Sequence, residues 1–434
     1  MKLNELKDKR VLILGFGMEG QDTFRFLRKL FPKKVLGIAD ISEKISSETK
    51  KLISHFCYDR RKSGIKLHLG KNYLYALRNY DVIIKSPGIP FKILPKSALL
   101  KITTQTDIFF ENCPGKIVGI TGTKGKSTTS FLIYEILKSG GIKAHLIGNI
   151  EKPVLAYLAK AKPSDVFVYE LSSHQLYNLK KSPHIAVLLN IYPEHLDYYR
   201  NFKEYAEAKA NITRYQTKND YLIYNSTDKL ISQIVKKSKA KKIPVGGNYY
   251  ELDKAAAKAV GELFKIPTKT IDKAIKKFKP LPHRLELVGT FKGITFYNDA
   301  LATIPEATIG ALDMLGNKVE TIMLGGYERN IDFKNLAKRL LKSKVKTVIL
   351  FPTTGQRIWK VITRLLKFNH DSKKVPVPFF VDNMEKAIKI AYNNTKKGKI
   401  CLLSTASPSF SIFKNYKEKG DLFKKYVRAY GRKK

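Results

Sequence analysis

The stretch Gly119-Ile120-Thr121-Gly122-Thr123-Lys124-Gly125-Lys126-Ser127-Thr128 has the residue types and spacing to bind a polyphosphate. A glycine-rich turn leaves backbone N–H groups to cradle phosphate oxygens. Lys126 can reach the β- and γ-phosphates, and the Ser127 hydroxyl can bind Mg2+. The strict form of this pattern wants a glycine five positions before Gly125, where this chain has Ile120. Such a turn works only between a strand and a helix. Ile117-Val118 supplies an apolar strand end, and Phe131-Leu132-Ile133-Tyr134-Glu135-Ile136-Leu137 a helical pattern. That flanking context argues against an ordinary surface turn.

Other residues carry chemistry in the same sense. Gly15-x-Gly17-x-x-Gly20 follows the short apolar run Val11-Leu12-Ile13-Leu14, and Asp40 stands twenty residues beyond Gly20. This matches a dinucleotide fingerprint, yet a turn of N–H groups at a helix N-terminus recognises diphosphate, not nicotinamide. Glu170 closes the strand pattern Val166-Phe167-Val168-Tyr169 and leads into Leu171-Ser172-Ser173-His174-Gln175-Leu176. A carboxylate at the end of a strand beside a phosphate loop can hold Mg2+ or its waters; a solvated Glu is the plainer alternative. His195, in Asn190-Ile191-Tyr192-Pro193-Glu194-His195, reads equally as a metal ligand or a structural histidine. Lys209 lies in a helical stretch and, on residue type alone, reads as a surface lysine.

The elements that must position these groups alternate strand and helix, which implies doubly wound parallel sheets. Further strand patterns occur at 35–39, 82–84, 185–189 and 221–224, then at 294–297, 321–324, 347–351 and 400–403. With 434 residues the chain has room for two to three domains. Cys57, Cys113 and Cys401 lack CxxC spacing, which suits a reducing cytoplasm and argues against a disulfide framework. No apolar leader or membrane-spanning run is present. Lys and Arg number 81 against 37 Asp and Glu, a net charge of +44. The lysines are scattered rather than blocked, so a solvated surface fits better than a dedicated nucleic-acid face.

Taken in order, these stretches resemble the Mur ligases, the ATP-dependent amino-acid ligases of peptidoglycan precursor synthesis. The likeness also runs through Ser86-Pro87-Gly88-Ile89-Pro90, Gly148-Asn149-Ile150, Leu281-Pro282-His283-Arg284, Asn298-Asp299, Leu324-Gly325-Gly326 and Phe413-Lys414-Asn415-Tyr416. Ser-Pro-Gly-Ile-Pro, Glu-Leu-Ser-Ser-x-Gln-Leu and Phe-Lys-Asn-Tyr resemble the branch that adds glutamate to UDP-N-acetylmuramoyl-L-alanine. The resemblance implies three α/β domains. These are a Rossmann-like UDP-binding domain over 1–97, a central P-loop ATPase-type parallel sheet over 98–281, and a Rossmann-like glutamate-binding domain over 282–434. It implies that ATP phosphorylates the alanyl carboxylate and that glutamate's amine attacks the acyl phosphate.

The same resemblance assigns residues. Lys126, Glu170, His195, Lys209 and Arg284 would be catalytic. Gly122, Thr123, Lys124, Gly125, Lys126, Ser127, Thr128, Asn248, Arg284 and Asp299 would contact ATP. Ser127, Glu170, His195 and a carbamylated Lys209 would hold two Mg2+ ions. Gly15, Gly17, Met18, Glu19, Asp40, Ser86 and Gly88 would bind UDP, and Asn149, Ser172 and Gln175 the muramoyl-peptide. Arg329, Ser409 and Tyr416 would meet glutamate. The partners would be these small molecules, with no specific nucleic acid, no membrane, and a monomeric enzyme.

The chain departs from the family pattern in four places. Lys124 replaces an asparagine, and Asn298-Asp299-Ala300-Leu301 lacks the lysine of Asn-Asp-Ser-Lys, a cation Arg329 can supply. Thr303-Ile304-Pro305 resembles L-glutamate-adding relatives, so both glutamate isomers stay open. Glu251 replaces a second asparagine after Asn248, and the stretch from Tyr224 to Gly246 is short. An NAD-dependent oxidoreductase would use the Gly15–Gly20 turn and leave the phosphate loop idle.

Overall fold

In a computed structural model the chain is described at every residue except 45, 56–63, 150–153, 196–197, 248, 280, 369–374 and 433–434. Its strands form three sheets. The first contains β1 (Val11–Leu14), β2 (Leu36–Asp40), β3 (Ile65–Leu69), β4 (Val82–Lys85) and β5 (Ile102–Thr103), in spatial order β3-β2-β1-β4-β5 and wholly parallel. Leu14 lies level with Ala39 on one side and Lys85 on the other. The carboxyl ends of β1, β2 and β4 therefore open into one crevice, at the point where the strand order reverses.

The second sheet contains β6 (Lys116–Thr121), β7 (Ala144–Gly148), β8 (Val166–Glu170), β9 (Ile185–Leu188), β10 (Tyr221–Asn225) and β11 (Lys241–Val245), in order β11-β10-β9-β6-β8-β7 and again parallel. β6 runs between β8 and β9, with Ile120 level with Glu170 and Thr121 level with Leu188. Register alone thus sets Glu170 and the chain after Leu188 on either side of the phosphate loop. β8 is buried at every residue, as a strand covered on both faces requires. Between Tyr224 and Gly246 the chain adds one helix, Lys229–Lys236, and β11 to this sheet.

The third sheet contains β12 (Glu286–Phe291), β13 (Ile294–Asn298), β14 (Val319–Gly325), β15 (Thr347–Phe351), β16 (Val377–Phe380) and β17 (Ile400–Leu403), in order β12-β13-β17-β14-β15-β16. Only its edge strand β12 is antiparallel, as a hairpin with β13. The first two sheets belong to one compact unit, Met1–Gly247 with Leu252–Lys277. The third makes another, Phe278–Lys434 with Asn248–Glu251. β5 carries the first sheet past residue 97, as far as Thr103.

Helix starts are written into the sequence by their caps. Thr104 and Asp107 make a reciprocal capping box for Gln105–Asn112, and Ser172 and Gln175 make another just after β8. Asn201 accepts from the Glu204 N–H to start Phe202–Arg214. That helix buries Tyr205, Ala208, Lys209 and Ile212, a spacing that puts Lys209 on the apolar face. Among the described residues no helix is long and apolar enough to cross a membrane.

Candidate active site

The phosphate loop leaves β6 at Thr121 and enters the helix Lys126–Ser139. Gly125 caps that helix at φ +86°, a left-handed conformation that glycine adopts without strain. A Cβ there would collide with the Asp253 carboxylate, which also accepts from Thr129 Oγ1 at 3.0 Å. Gly122 is hemmed in by Leu189 and the Lys124 carbonyl, each 3.0 Å from where a Cβ would stand. The Thr123 N–H donates to the Asn190 carbonyl (2.8 Å), and the Thr123 hydroxyl lies 2.9 Å from the Tyr205 hydroxyl. Ser127 and Thr128 are buried in the first helical turn.

Two amines converge on this loop. Lys126 Nζ donates to the carbonyl oxygens of Gly122 (3.0 Å) and Thr123 (3.1 Å), and Lys209 Nζ donates to Gly122 at 2.8 Å. Lys209 is 1% exposed, with its Nζ 4.9 Å from the centre of the Tyr205 ring. Burial, and then the positive charge of Lys126, push its amine well below the ordinary lysine range. The residue that reads as a surface lysine from its type alone is a buried, easily neutralised amine at the phosphate loop.

Glu170 reaches the loop from β8. Its Oε1 accepts from Asn149 Nδ2 at 3.0 Å, while its buried Oε2 has no hydrogen-bond partner. A buried carboxylate oxygen left unsatisfied is costly unless a cation or donor completes it. His195 follows β9 at φ +57°, with its side chain 38% exposed and its ring centre 4.8 Å from that of His174. Its neighbour Glu194 lies 3.0 Å from Lys124 Nζ. Burial acts to raise Glu194, but Lys124, His195 and Lys126 outweigh it and hold the carboxyl at about 2. Among the described residues, no three His, Cys, Asp or Glu side chains are grouped as a ready metal cage.

The first sheet brings its own assigned residues together. Gly15 turns at φ +88° with Ser86 packed against it, and the Ser86 hydroxyl donates to the Gly15 carbonyl at 2.8 Å. Asp40 accepts from the N–H groups of Phe16 (2.7 Å) and Ser42 (2.9 Å), so its carboxylate holds the turn in shape. Gly20 lies so close to the Gly15 carbonyl that no Cβ fits, whereas Gly17 and Gly88 face open space. Met18 is exposed at the start of the helix Met18–Leu30. Glu19 accepts from Gln175 Nε2 at 2.9 Å, and Gln175 is the partner of Ser172 in its capping box. One short chain of contacts thus runs from the glycine turn to the segment after Glu170.

The second unit holds Arg284, Asp299, Arg329, Ser409 and Tyr416. Asp299 is fixed by the Leu285 N–H (3.2 Å) and the Ser404 hydroxyl (2.8 Å), and burial pushes its carboxyl up. Arg284, next to Leu285, counters that rise. Ser409 is 3% exposed and its hydroxyl has no hydrogen-bond partner. Arg329 is half-buried after β14, and Tyr416 opens the helix Tyr416–Arg432 with its ring 5.8 Å from that of His283. Asn248 lies outside the described residues.

Three charged residues escape the sequence reading. Glu194 is readable in principle, since it directly precedes His195 in the loop that follows the central strand β9. Lys85 is 1% exposed and donates to the Ser86 (3.0 Å) and Ile89 (2.8 Å) carbonyls, bracing the Ser86–Pro90 stretch from inside. Lys419, also 1% exposed, donates to Thr405 Oγ1 at 2.6 Å, next to the Ser404 that holds Asp299. No local pattern separates these two lysines from surface ones.

Comparison with known proteins agrees with this geometry. The Mur ligase middle domain matches residues 120–294, and the Mur ligase glutamate ligase domain matches residues 283–407. The UDP-N-acetylmuramoylalanine--D-glutamate ligase of Acetivibrio thermocellus is 31% identical over 471 residues, covering 99% of each chain. The solved MurF ligase from Thermotoga maritima, in complex with ADP, shares the fold at a TM-score of 0.58 and 18% identity, covering 98% of this chain and 97% of its own. A bifunctional folylpolyglutamate synthase/dihydrofolate synthase with Mn, AMPPNP and L-glutamate bound has a TM-score of 0.50 at 14% identity, covering 70% of this chain and 91% of its own. With both Mur domains matched in order and a 31% identical relative spanning its length, the chain belongs to the Mur ligase family.

Proposed function

We propose that this chain is an ATP-dependent amide ligase that joins D-glutamate to UDP-N-acetylmuramoyl-L-alanine in peptidoglycan precursor synthesis. The observation that carries the reading is the meeting of Lys126 and Lys209 at the Gly122 carbonyl, beside the unsatisfied Glu170 carboxylate. The full-length relative named for D-glutamate favours that isomer over the L form.

In this reading the alanyl carboxylate oxygen attacks the γ-phosphorus of ATP and ADP leaves. The glutamate amine then attacks the acyl carbon, loses a proton, and inorganic phosphate departs. Lys126 and the N–H groups of residues 122–128 hold the phosphates, and a divalent cation neutralises their charge. Ser127, Glu170 and His195 would hold Mg2+, and Glu170 Oε2 is a fitting ligand because it is buried without a partner.

A neutral lysine amine can add CO2, forming an N–C bond and releasing a proton, to give a carbamate. The depressed Lys209 amine supports that modification, which would supply the further anionic ligand for a second ion. The crevice of Gly15, Gly17, Met18, Glu19, Asp40, Ser86 and Gly88 would take UDP, with Asn149, Ser172 and Gln175 beside the muramoyl-peptide. Arg284 and Asp299 would contact ATP; Arg329, Ser409 and Tyr416 would meet glutamate, and the buried Ser409 hydroxyl suits a ligand acceptor. We keep the divisions at 97/98 and 281/282 that the resemblance implies, with β5 as the one strand of the first sheet lying beyond the first of them, and place the chain in the cytoplasm as a monomer acting on small molecules rather than nucleic acid. Sedimentation as a single monomeric species, with only weak salt-sensitive binding to DNA, would accord with that.

The test supplies ATP, Mg2+, UDP-N-acetylmuramoyl-L-alanine and either glutamate isomer, and measures phosphate release and product mass. Turnover with D-glutamate is expected. No turnover with either isomer in folded protein would overturn the proposal, and turnover with L-glutamate alone would reassign the stereochemistry.

A further inference from the structure

The ligase reading counts Lys124 among the ATP contacts without saying what its side chain, an asparagine in the family pattern, does there. Its backbone is tied twice to Asn190: the Lys124 N–H donates to Oδ1 at 2.8 Å, and its carbonyl accepts from Nδ2 at 3.0 Å. The loop therefore keeps its shape whatever side chain stands there. The ammonium runs instead to Glu194, 3.0 Å from Oε1, with the two side chains only 12% and 13% exposed. Glu194 already has Lys126 as a positive neighbour, so Lys124 is not needed merely to give it one.

Charge balance shows what the residue adds. At the loop the Lys124 side chain pairs with Glu194, and the Lys126 side chain sits beside them on the Gly122 and Thr123 carbonyls. The family's asparagine at 124 would leave that group one charge more negative, which draws in a divalent cation. Lysine removes the excess and makes entry of a free polyanion easier.

We propose that Lys124 is a nucleotide-binding residue that gives this chain a metal-independent hold on the triphosphate, with Glu194 keeping its ammonium at the loop until phosphate oxygens take it. Binding exchanges one charge-assisted contact for another, from Glu194 Oε1 to a phosphate oxygen, and no covalent bond changes. The proposal rests on the ligase reading only for the identity of the nucleotide.

The test measures equilibrium binding of ATP to the full chain in EDTA and in excess Mg2+, for the unaltered protein, Lys124→Asn and Glu194→Gln. Mn2+ binding without nucleotide is read by electron paramagnetic resonance on the same samples. Lys124→Asn is expected to weaken ATP binding about ten-fold in EDTA and about two-fold in Mg2+, while tightening Mn2+. Glu194→Gln is expected to tighten ATP in EDTA and weaken Mn2+. Equal losses for Lys124→Asn with and without Mg2+ would mean a damaged loop, and an unchanged EDTA affinity would mean that Lys124 serves Glu194 alone. Either result overturns the proposal. Ligase turnover of the unaltered protein separates the two readings: turnover with unchanged EDTA affinities sinks only the role of Lys124. The expected affinities without turnover sink only the ligase assignment.

Discussion

After β1 and after β6 the chain makes the same move: a buried apolar strand, a left-handed glycine, and a helix opening from the turn. Gly15 stands at φ +88° and Gly125 at φ +86°. The side chains around the two turns are unlike. At the first, Asp40 and Ser86 bond to the backbone of the turn itself, which fixes its shape. At the second, Lys124, Lys126, Lys209, Glu170 and Glu194 crowd into a partly or wholly buried group. Buried charge is expensive, and a fold retains it where charge must be stabilised or moved. In the proposed ligase reading, one turn holds its ligand and the other holds and reacts.

The sharpest way to break this comparison is to remove a charge from the second turn. Lys126→Ala is expected to lower kcat by about a thousand-fold or more while leaving UDP binding, read by calorimetry, unchanged. Loss of UDP affinity would mean that the two turns are not separate in function. Lys209→Ala should cost somewhat less, about a hundred-fold, and a small carboxylate such as acetate should partly restore the rate by replacing the carbamate. Activity at the original level in Lys209→Ala would refute the carbamate.

How much of this was legible follows from the same contrast. Both turns are visible in sequence because glycine spacing after a short apolar strand is a local signal, and so are Glu170 at the end of β8 and His195 in the loop after β9. The placement of Lys209 is not local. It stands among 81 Lys and Arg residues, and only the packing of Phe202–Arg214 against the loop makes it buried. Lys85 and Lys419 were missed for the same reason. β5 has only two residues, and β7 and the antiparallel β12 have too mixed a pattern to declare themselves. Family resemblance singled out Lys209 where residue chemistry did not.

A smaller effect is expected at the first turn, where the backbone does the work. Gly15→Val forces a β-branched residue into left-handed backbone, with its Cβ 2.9 Å from the Ser86 Cβ and 3.0 Å from Ile89 Cδ1. The change should raise KM for the UDP substrate about ten-fold and lower stability by about 1–3 kcal/mol. ATP affinity should stay within about two-fold of the original. An equal rise in the KM for ATP would show that the turns are mechanically coupled.

The smallest effect is a pH slope at the contact joining the first turn to the segment after Glu170. Burial raises Glu19 to about 7, partly offset by the hydrogen bond from Gln175 and by Lys85. A carboxyl raised in the fold binds more protons than in the unfolded chain, so its contribution is present below about 4.5 and is lost as pH rises through 7. Stability of the first unit should therefore fall across that window by about 1–2 kcal/mol, discounted for the partial exposure of the side chain. Glu19→Gln keeps a carbonyl oxygen to accept from Gln175 but cannot ionise, so its urea midpoint should lose this part of the slope between pH 5 and 7.5. A variant whose slope matches the original would place the titration elsewhere and leave the Glu19–Gln175 contact insensitive to pH.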